Sequence, residues 1–311
     1  MPAAGYPLER LRVEGLSRSD PLKAARAALR AATALRTANS ILERRCADAV
    51  LGAGGYVAGP VGLAAVSRRI PLVLAEADSH LGLANRLLAP RAARVCLAFP
   101  IAGRDGERYR VTGRPVPPTV TDRAGSRARL GVPQDATCVL VFGGSLGARS
   151  VNLAALEAFA GAPYTVLHVA GRRDFAELAP RAAALGDGYR LHEYVTPFGA
   201  ALVAADLAVA RAGGSVFELA QYGLPAVLIP YPHAAGDHQA GNARWMERAG
   251  AAVVIADAEL TSARLRAEVD AIATDSQRRA AMARAARSLA RPGAARDVAA
   301  EVLAAARSRR R

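Results

Sequence analysis

The chain has 311 residues, 52% of them hydrophobic, enough for one large or two ordinary domains with packed cores, and two is the better expectation. No stretch of eighteen apolar residues runs without a charge, and Met1 is not followed by a basic region leading into an apolar core, so the sequence argues against a membrane span or a signal peptide and for a cytoplasmic protein. The net charge of +14 favours an anionic partner, whether nucleic acid, anionic lipid or a phosphorylated substrate, but Lys23 is the only lysine and the arginine excess is partly a compositional bias. Cys46, Cys96 and Cys138 are odd in number, far apart and without zinc-site spacing, so they are expected to be buried and reduced.

In chain order, short apolar runs predict strands at 8–13, 49–51, 72–75, 94–99 and 109–112, with helices at 21–45, 59–67 and 83–88. Pro115, Pro117 and Pro118 make 113–128 read as a connection between two cores. A second series follows, with strands at 138–142, 165–169, 189–194, 207–210, 226–229 and 252–255, and helices at 262–289 and 294–308 separated by Pro292-Gly293. The alternation of apolar strands with helices is the pattern of parallel sheets, and predicts an α/β protein with a domain at 1–128 and a second at 129–311 that includes the terminal helices. A doubly wound domain usually opens on a strand and a glycine-rich turn; this chain opens on Met1-Pro2-Ala3-Ala4-Gly5, so its first domain reads as lacking that opening strand-turn-helix unit.

Three glycine-rich segments stand between a strand and a helix. Gly52 to Pro60 and Gly143 to Ser150 each suit close approach of a ligand to backbone amides at a helix start, and Ser145 and Arg149 add polar groups to the second. The first lacks the Lys-Ser/Thr ending of the phosphate loop of ATPases and alone is equally a tight turn, and the second alone resembles many Rossmann-like turns that bind nothing. The third, Arg211 to Glu218, places amides and a carboxylate where a phosphate and a ribose would sit, although Glu218 alone is equally a charge complementing the helix dipole. It is followed by the polar cluster Asp237 to Asn242.

Together these ordered motifs resemble the MurG family of glycosyltransferases. The resemblance implies a GT-B-like fold of two Rossmann-like doubly wound domains facing a cleft, the first an acceptor and membrane-facing domain, the second a UDP-sugar domain. It implies inverting transfer of GlcNAc from UDP-GlcNAc to lipid I, giving lipid II of peptidoglycan, at the cytoplasmic face of the membrane as a peripheral protein. By the same resemblance Ser145, Gly213, Gly214 and Ser215 hold the diphosphate, Glu218 the ribose, Gln239 the GlcNAc hydroxyls and Val195 the uracil, whereas Asn242 anchors its helix. Gly54, Gly55 and Tyr56 face the lipid-linked acceptor. No Asp-x-Asp motif is present, so no metal or other cofactor is expected. Expected partners are UDP-GlcNAc, lipid I and an anionic membrane surface; a nucleic-acid partner is disfavoured, as aromatics are 5% and no binding module is recognisable.

The sequence departs from the family pattern in places. The opening glycine loop with its histidine has no counterpart, and none of His80, His168, His192, His233 and His238 is assigned as a catalytic base. Asp78 is the first-domain carboxylate to test as base or acceptor contact, against a helix-capping role. Arg114 stands near the place of a family arginine, and Leu146 replaces a glutamine. A catalytically impaired UDP-sugar-binding protein and a UDP-GlcNAc 2-epimerase-like isomerase remain as alternatives.

Overall fold

The computed structural model of the chain describes residues 5–11 and 21–310, and separates into two compact units, Met1–Pro115 with Gly293–Arg311, and Val116–Pro292. The first unit contains α1 (Pro21–Arg44), β1 (Val50–Gly52), α2 (Gly55–Ser67), β2 (Leu72–Glu76), α3 (Leu83–Leu88), β3 (Arg94–Leu97) and β4 (Tyr109–Val111). Its four strands are all parallel, in the order β1-β2-β3-β4. Because side chains alternate across a strand, Leu72, Leu74, Val95 and Leu97 point to one face, where they pack with Ala38 and Leu42 of α1 and Ala64 and Ala65 of α2. Val73 and Cys96 point to the other, where Val298 and Ala305 of the C-terminal helix Ala294–Arg310 cover them. Both faces of the central strands β2 and β3 are thereby buried, as a parallel sheet requires, while Leu51 of β1 and Val111 of β4 stay exposed at the edges.

The C-terminal helix therefore belongs to the first unit, not to the second as the sequence suggested. Two arginines fix it: Glu301 accepts from Arg94 Nε at 2.8 Å and pairs with Arg110 at 3.1 Å. The Pro292-Gly293 break, legible as a separator of helices, is where the chain leaves the second unit.

The second unit contains α4 (Arg123–Leu130), β5 (Cys138–Phe142), α5 (Arg149–Ala158), β6 (Thr165–Val169), α6 (Phe175–Ala183), β7 (Tyr189–His192), α7 (Gly199–Ala204), β8 (Leu207–Ala210), α8 (Ser215–Tyr222), β9 (Ala226–Leu228), α9 (His238–Arg248), β10 (Ala252–Val254), α10 (Ser262–Ala273) and α11 (Ser276–Ser288). Its six parallel strands run in the order β10-β9-β8-β5-β6-β7. Val139, Val141, Val209 and Val227 pack beneath Val151 and Ala155 of α5 and Leu265, Val269 and Ile272 of α10. On β5 the intervening Leu140 and Phe142 are also buried, and the Phe142 ring meets Phe198 edge-on at 5.0 Å.

The expected boundary at residue 128 moves to 115/116, because α4 lies inside the segment that prolines made read as a linker. Asp122 caps α4 by accepting from Gly125 N–H, and Gly131, at φ 69°, ends it. Arg127, 1% exposed, donates to the carbonyls of Pro133, Gln134, Ala136 and Ala204 and to Asp206, while Arg123 takes the other Asp206 oxygen. These bonds tie α4 to the second sheet.

Two smaller expectations also change. The helix expected over 262–289 breaks at Thr274, whose hydroxyl donates back to Asp270 O, and restarts under the Asp275 cap. Residues 5–11 form no strand, and the rest of the strand expected at 8–13 lies outside the described residues. Cys96 and Cys138 are buried as expected, and burial pushes their thiols up to about 11 and about 12; Cys46 is exposed, in a left-handed turn (φ 46°) just beyond α1.

Candidate functional site

The order of strands locates the site before any side chain is considered. From β5 the chain proceeds outward to β6 and β7, then returns to lay β8 on the opposite side of β5. Where strand order reverses in an open parallel sheet, the two following loops splay apart and leave a crevice at the carboxyl ends. Here those loops are Gly143–Ala148 after β5 and Arg211–Gly214 after β8.

The first loop is built so tightly that only glycine fits. A Cβ on Gly143 would stand 2.3 Å from the Cβ and 2.4 Å from the amide nitrogen of Ala148, and one on Gly147 (φ 82°) would stand 2.1 Å from Ala170 O. The loop closes on itself through Gly147 N–H to Gly144 O, leaving Ser145 and Leu146 exposed at its tip. Neither α5 nor α8 carries a side-chain cap, so two helix starts without a capping side chain open beside adjacent strands. Both helix dipoles favour an anion there.

A layer beneath holds the loops in place. Arg211, at the end of β8, donates to Asp257 at 2.6 Å, to Ser150 Oγ at 2.7 Å and to the carbonyls of Ile229 and Pro230, while Ser150 donates to Asp257. Its guanidinium also lies over the Tyr231 ring. This triangle joins the start of α5, the end of β8 and the turn after β10. A second buried chain supports Gly147: Asn152 donates to Ala170 O and Asp174 and bonds to His168, which in turn bonds to Tyr189. Burial pushes the His168 pKa down to about 3, so the ring is neutral, in a structural role.

The sequence-derived residues of this unit fall mostly together. Ser215 Oγ donates to Arg211 O, Glu218 is half-buried in the first turn of α8, and Gln239 sits at the start of α9 with its Oε1 accepting from Tyr231 N–H. A Cβ on Gly213 would lie 3.8 Å from Gln239 Nε2, which brings the glutamine amide to the second loop. Asn242 is buried and donates to Ala212 O, so it anchors that loop to α9. Val195 is buried beyond the end of β7, two strands from β5 and so roughly 10 Å to the side at the usual strand spacing. Arg149 is turned to Glu177, with which it forms two hydrogen bonds.

In the first unit, Gly54 and Gly55 take φ of 78° and 75° at the start of α2, and Tyr56 is 72% exposed. Asp78 follows the adjacent strand β2, half-exposed, and is not a helix cap, since the residue at the cap position of α3 is Gly82 and no side chain caps that helix. The residue that organises this loop is Glu76, absent from the sequence-derived set: buried, it accepts from the N–H groups of Ala77, Asp78 and Gly82 and from Asn85. Arg114 follows β4, at the far edge of the four-stranded sheet from Gly54, about 14 Å away across three strand spacings. It therefore does not join the Gly54–Tyr56 loop.

Comparison with known proteins agrees with this geometry. The profile of the glycosyltransferase family 28 C-terminal domain matches residues 138–298 and that of the family 28 N-terminal domain matches residues 1–97. The chain is 40% identical over 310 residues to the UDP-N-acetylglucosamine--N-acetylmuramyl-(pentapeptide) pyrophosphoryl-undecaprenol N-acetylglucosamine transferase of Moorella thermoacetica, a match covering 94% of this chain and 84% of the relative. Among solved structures, Acinetobacter baumannii MurG matches with a TM-score of 0.73 at 28% identity, covering 96% of this chain and 84% of that one. A UDP-GlcNAc 2-epimerase from Neisseria meningitidis shares the fold alone, at a TM-score of 0.63 and 12% identity over 93% of this chain and 83% of that one. With two family 28 domains in order, a GT-B-like fold and 40% identity to a transferase over most of its length, the chain belongs to the MurG family.

Proposed function

We propose that the chain is an inverting N-acetylglucosaminyltransferase that moves GlcNAc from UDP-GlcNAc to lipid I and so forms lipid II. The observation that carries this reading is the pair of uncapped helix starts and the glycine-only loop after β5 at the switch point between β5 and β8, with Glu218 and Gln239 at its margin. In this reading the diphosphate lies on the amides of Gly143–Ala148 and Gly213–Ser215 with Ser145 Oγ. The ribose meets Glu218, the sugar hydroxyls meet Gln239, and the uracil lies toward Val195. Inversion requires that the acceptor hydroxyl lose a proton as it attacks the anomeric carbon while the bond to UDP breaks. Amides aimed at the departing diphosphate stabilise the charge that develops on it. The donor machinery involves protein groups alone, with no metal or other cofactor assigned.

The acceptor side is assigned to the first unit, at Gly54, Gly55 and Tyr56, with Asp78 as the general base and Arg114 as a more distant anion contact. Asp78 suits that role because Glu76 takes up the loop's N–H groups and the Asp78 carboxylate is left to the surface. The same unit exposes Tyr56 and Leu63 on α2 and Leu83 and Leu87 on α3, with Arg86 between the two leucines. Helices α2 and α3 pack on each other, so these apolar groups form a surface with a basic margin, suited to an anionic lipid interface. No helix among the described residues is long and apolar enough to cross a membrane, and the proposed location is peripheral, at the cytoplasmic face.

The test is conversion of a lipid I analogue by the purified chain with UDP-GlcNAc. Formation of the disaccharide product supports the reading, and its loss in Asp78→Asn with UDP-GlcNAc affinity unchanged supports the assigned base. Binding without transfer identifies a UDP-sugar-binding protein that has lost catalysis; appearance of the C2 epimer of UDP-GlcNAc identifies an isomerase.

A further inference from the structure

We infer that the second unit carries another anion site, for a phosphate-bearing ligand, at the end of its sheet opposite the donor loops. Ala205 and Asp206 lead into β8 and Leu224 precedes β9, and between these strand entries and helix α11 lies a cavity of about 610 Å³. The donor loops follow the exits of β5 and β8, so the two sites are separated by the length of a four-residue strand, roughly 13 Å.

The charge in this cavity is unbalanced. Arg123, Arg279, Arg284 and Arg287 line it, and the only acid in its wall is Asp206. That acid is already matched, by Arg123 at 2.7 Å, Arg127 at 2.8 Å and the Cys138 N–H at 2.8 Å. Arg279 is held on the carbonyls of Ile272 and Ala273 at the end of α10. The side chains of Arg284 and Arg287, one helical turn apart on α11, have no hydrogen-bond or ion-pair partner among the described residues. Residues three apart on a helix share a face, so both guanidinium groups are presented to the same space.

Arg287 is also positioned. Its side chain runs across Gly223, where a Cβ would come within 2.5 Å of Arg287 Cγ, and Gly223 is the left-handed residue (φ 65°) that ends α8. The stem and the Nε–Cζ edge of the guanidinium are thus laid on a backbone that only glycine leaves open. Two unpaired forks, two further arginines and the Ser276 hydroxyl around one cavity form a binding set for phosphate oxygens, which arginine engages through paired N–H donors. The cavity has room for a diphosphate. A phosphorylated small molecule and a phospholipid headgroup present the same chemistry here. The inference does not rest on the donor-site reading, since no residue is common to the two.

The test uses the full chain, its Arg284→Ala/Arg287→Ala variant and the single Arg284→Glu variant, both changes lying on the exposed side of α11. Inorganic pyrophosphate is titrated calorimetrically into each protein saturated with UDP-GlcNAc, so that the donor loops are occupied, and vesicles of phosphatidylglycerol or of phosphatidylcholine are sedimented with each protein. Losing each arginine is expected to weaken the contact about tenfold, the factor carried by ~1.4 kcal/mol. UDP-GlcNAc affinity is expected to stay the same in every variant. Loss of pyrophosphate binding in the double variant identifies a soluble phosphorylated ligand. Loss confined to phosphatidylglycerol vesicles identifies a lipid headgroup. Unchanged pyrophosphate and vesicle binding in both variants overturns the inference, as does absence of both from the wild-type chain.

Discussion

A single methyl group at Gly143 tests whether the loop after β5 holds the donor diphosphate. In Gly143→Ala the new Cβ would stand 2.3 Å from Ala148 Cβ and 2.4 Å from Ala148 N. Relief to ordinary contact needs a relative shift of about 1 Å between the start of the loop and the start of α5, and such core overpacking costs ~1–3 kcal/mol of stability. If the shift removes two amide-to-phosphate hydrogen bonds at ~1.5 kcal/mol each, affinity for UDP-GlcNAc falls about a hundredfold. Because backbone nitrogen is part of the clash, removing the facing methyl in Gly143→Ala/Ala148→Gly is not expected to restore binding. Calorimetric titration of UDP-GlcNAc into both variants, with thermal unfolding to establish that each is folded, measures this directly. A folded Gly143→Ala protein that binds UDP-GlcNAc within twofold of wild type would refute the placement of the diphosphate on this loop.

Further outcomes follow from the buried polar groups. Arg211→Ala strips a donor from Asp257, Ser150 and two carbonyls, and is expected to raise the Kd for UDP-GlcNAc about tenfold, as one charge-assisted bond's worth of loop order is lost, with Arg211→Lys recovering part of it. In Arg127→Met, removal of five hydrogen bonds to four carbonyls and Asp206 is expected to cost about 3–5 kcal/mol, seen as a fall in Tm of roughly 6–20 °C in a scan of the variant. His168 has a folded-state pKa of about 3, below its unfolded value, so the unfolded chain takes up the proton first as pH falls. Between about pH 6 and pH 4 the wild type should therefore lose ~1.4 kcal/mol per pH unit more than His168→Gln in denaturant titrations, and equal slopes would contradict a neutral buried ring.

Much of the second unit was legible in the sequence because its central strands are short, mostly apolar runs ended by glycine or by a turn. The strands at 138–142, 165–169 and 207–210 occur with the expected bounds. Helix α4 was hidden by the prolines before it and by its own composition, with Gly125 inside and three arginines in eight residues; its helicity is secured by the Asp122 cap and by long-range bonds from Arg127. The assignment of the C-terminal helix failed for a similar reason: its heptad-spaced Val298 and Ala305 suit any sheet face, and only the Arg94–Glu301–Arg110 contacts decide which. Glycine motifs marked the loops, since a glycine requirement is local. The groups that hold them were not visible, because Ser150, Arg211 and Asp257 converge from distant parts of the chain and Glu76 looks like any other acid until four donors surround it.

The most direct test of the account is a crystal structure of the chain with UDP-GlcNAc bound. The account predicts the diphosphate on the amides of Gly143–Ala148 and Gly213–Ser215, with Glu218 on the ribose and Gln239 on the sugar. A donor bound anywhere other than the crevice between the ends of β5 and β8 would contradict it.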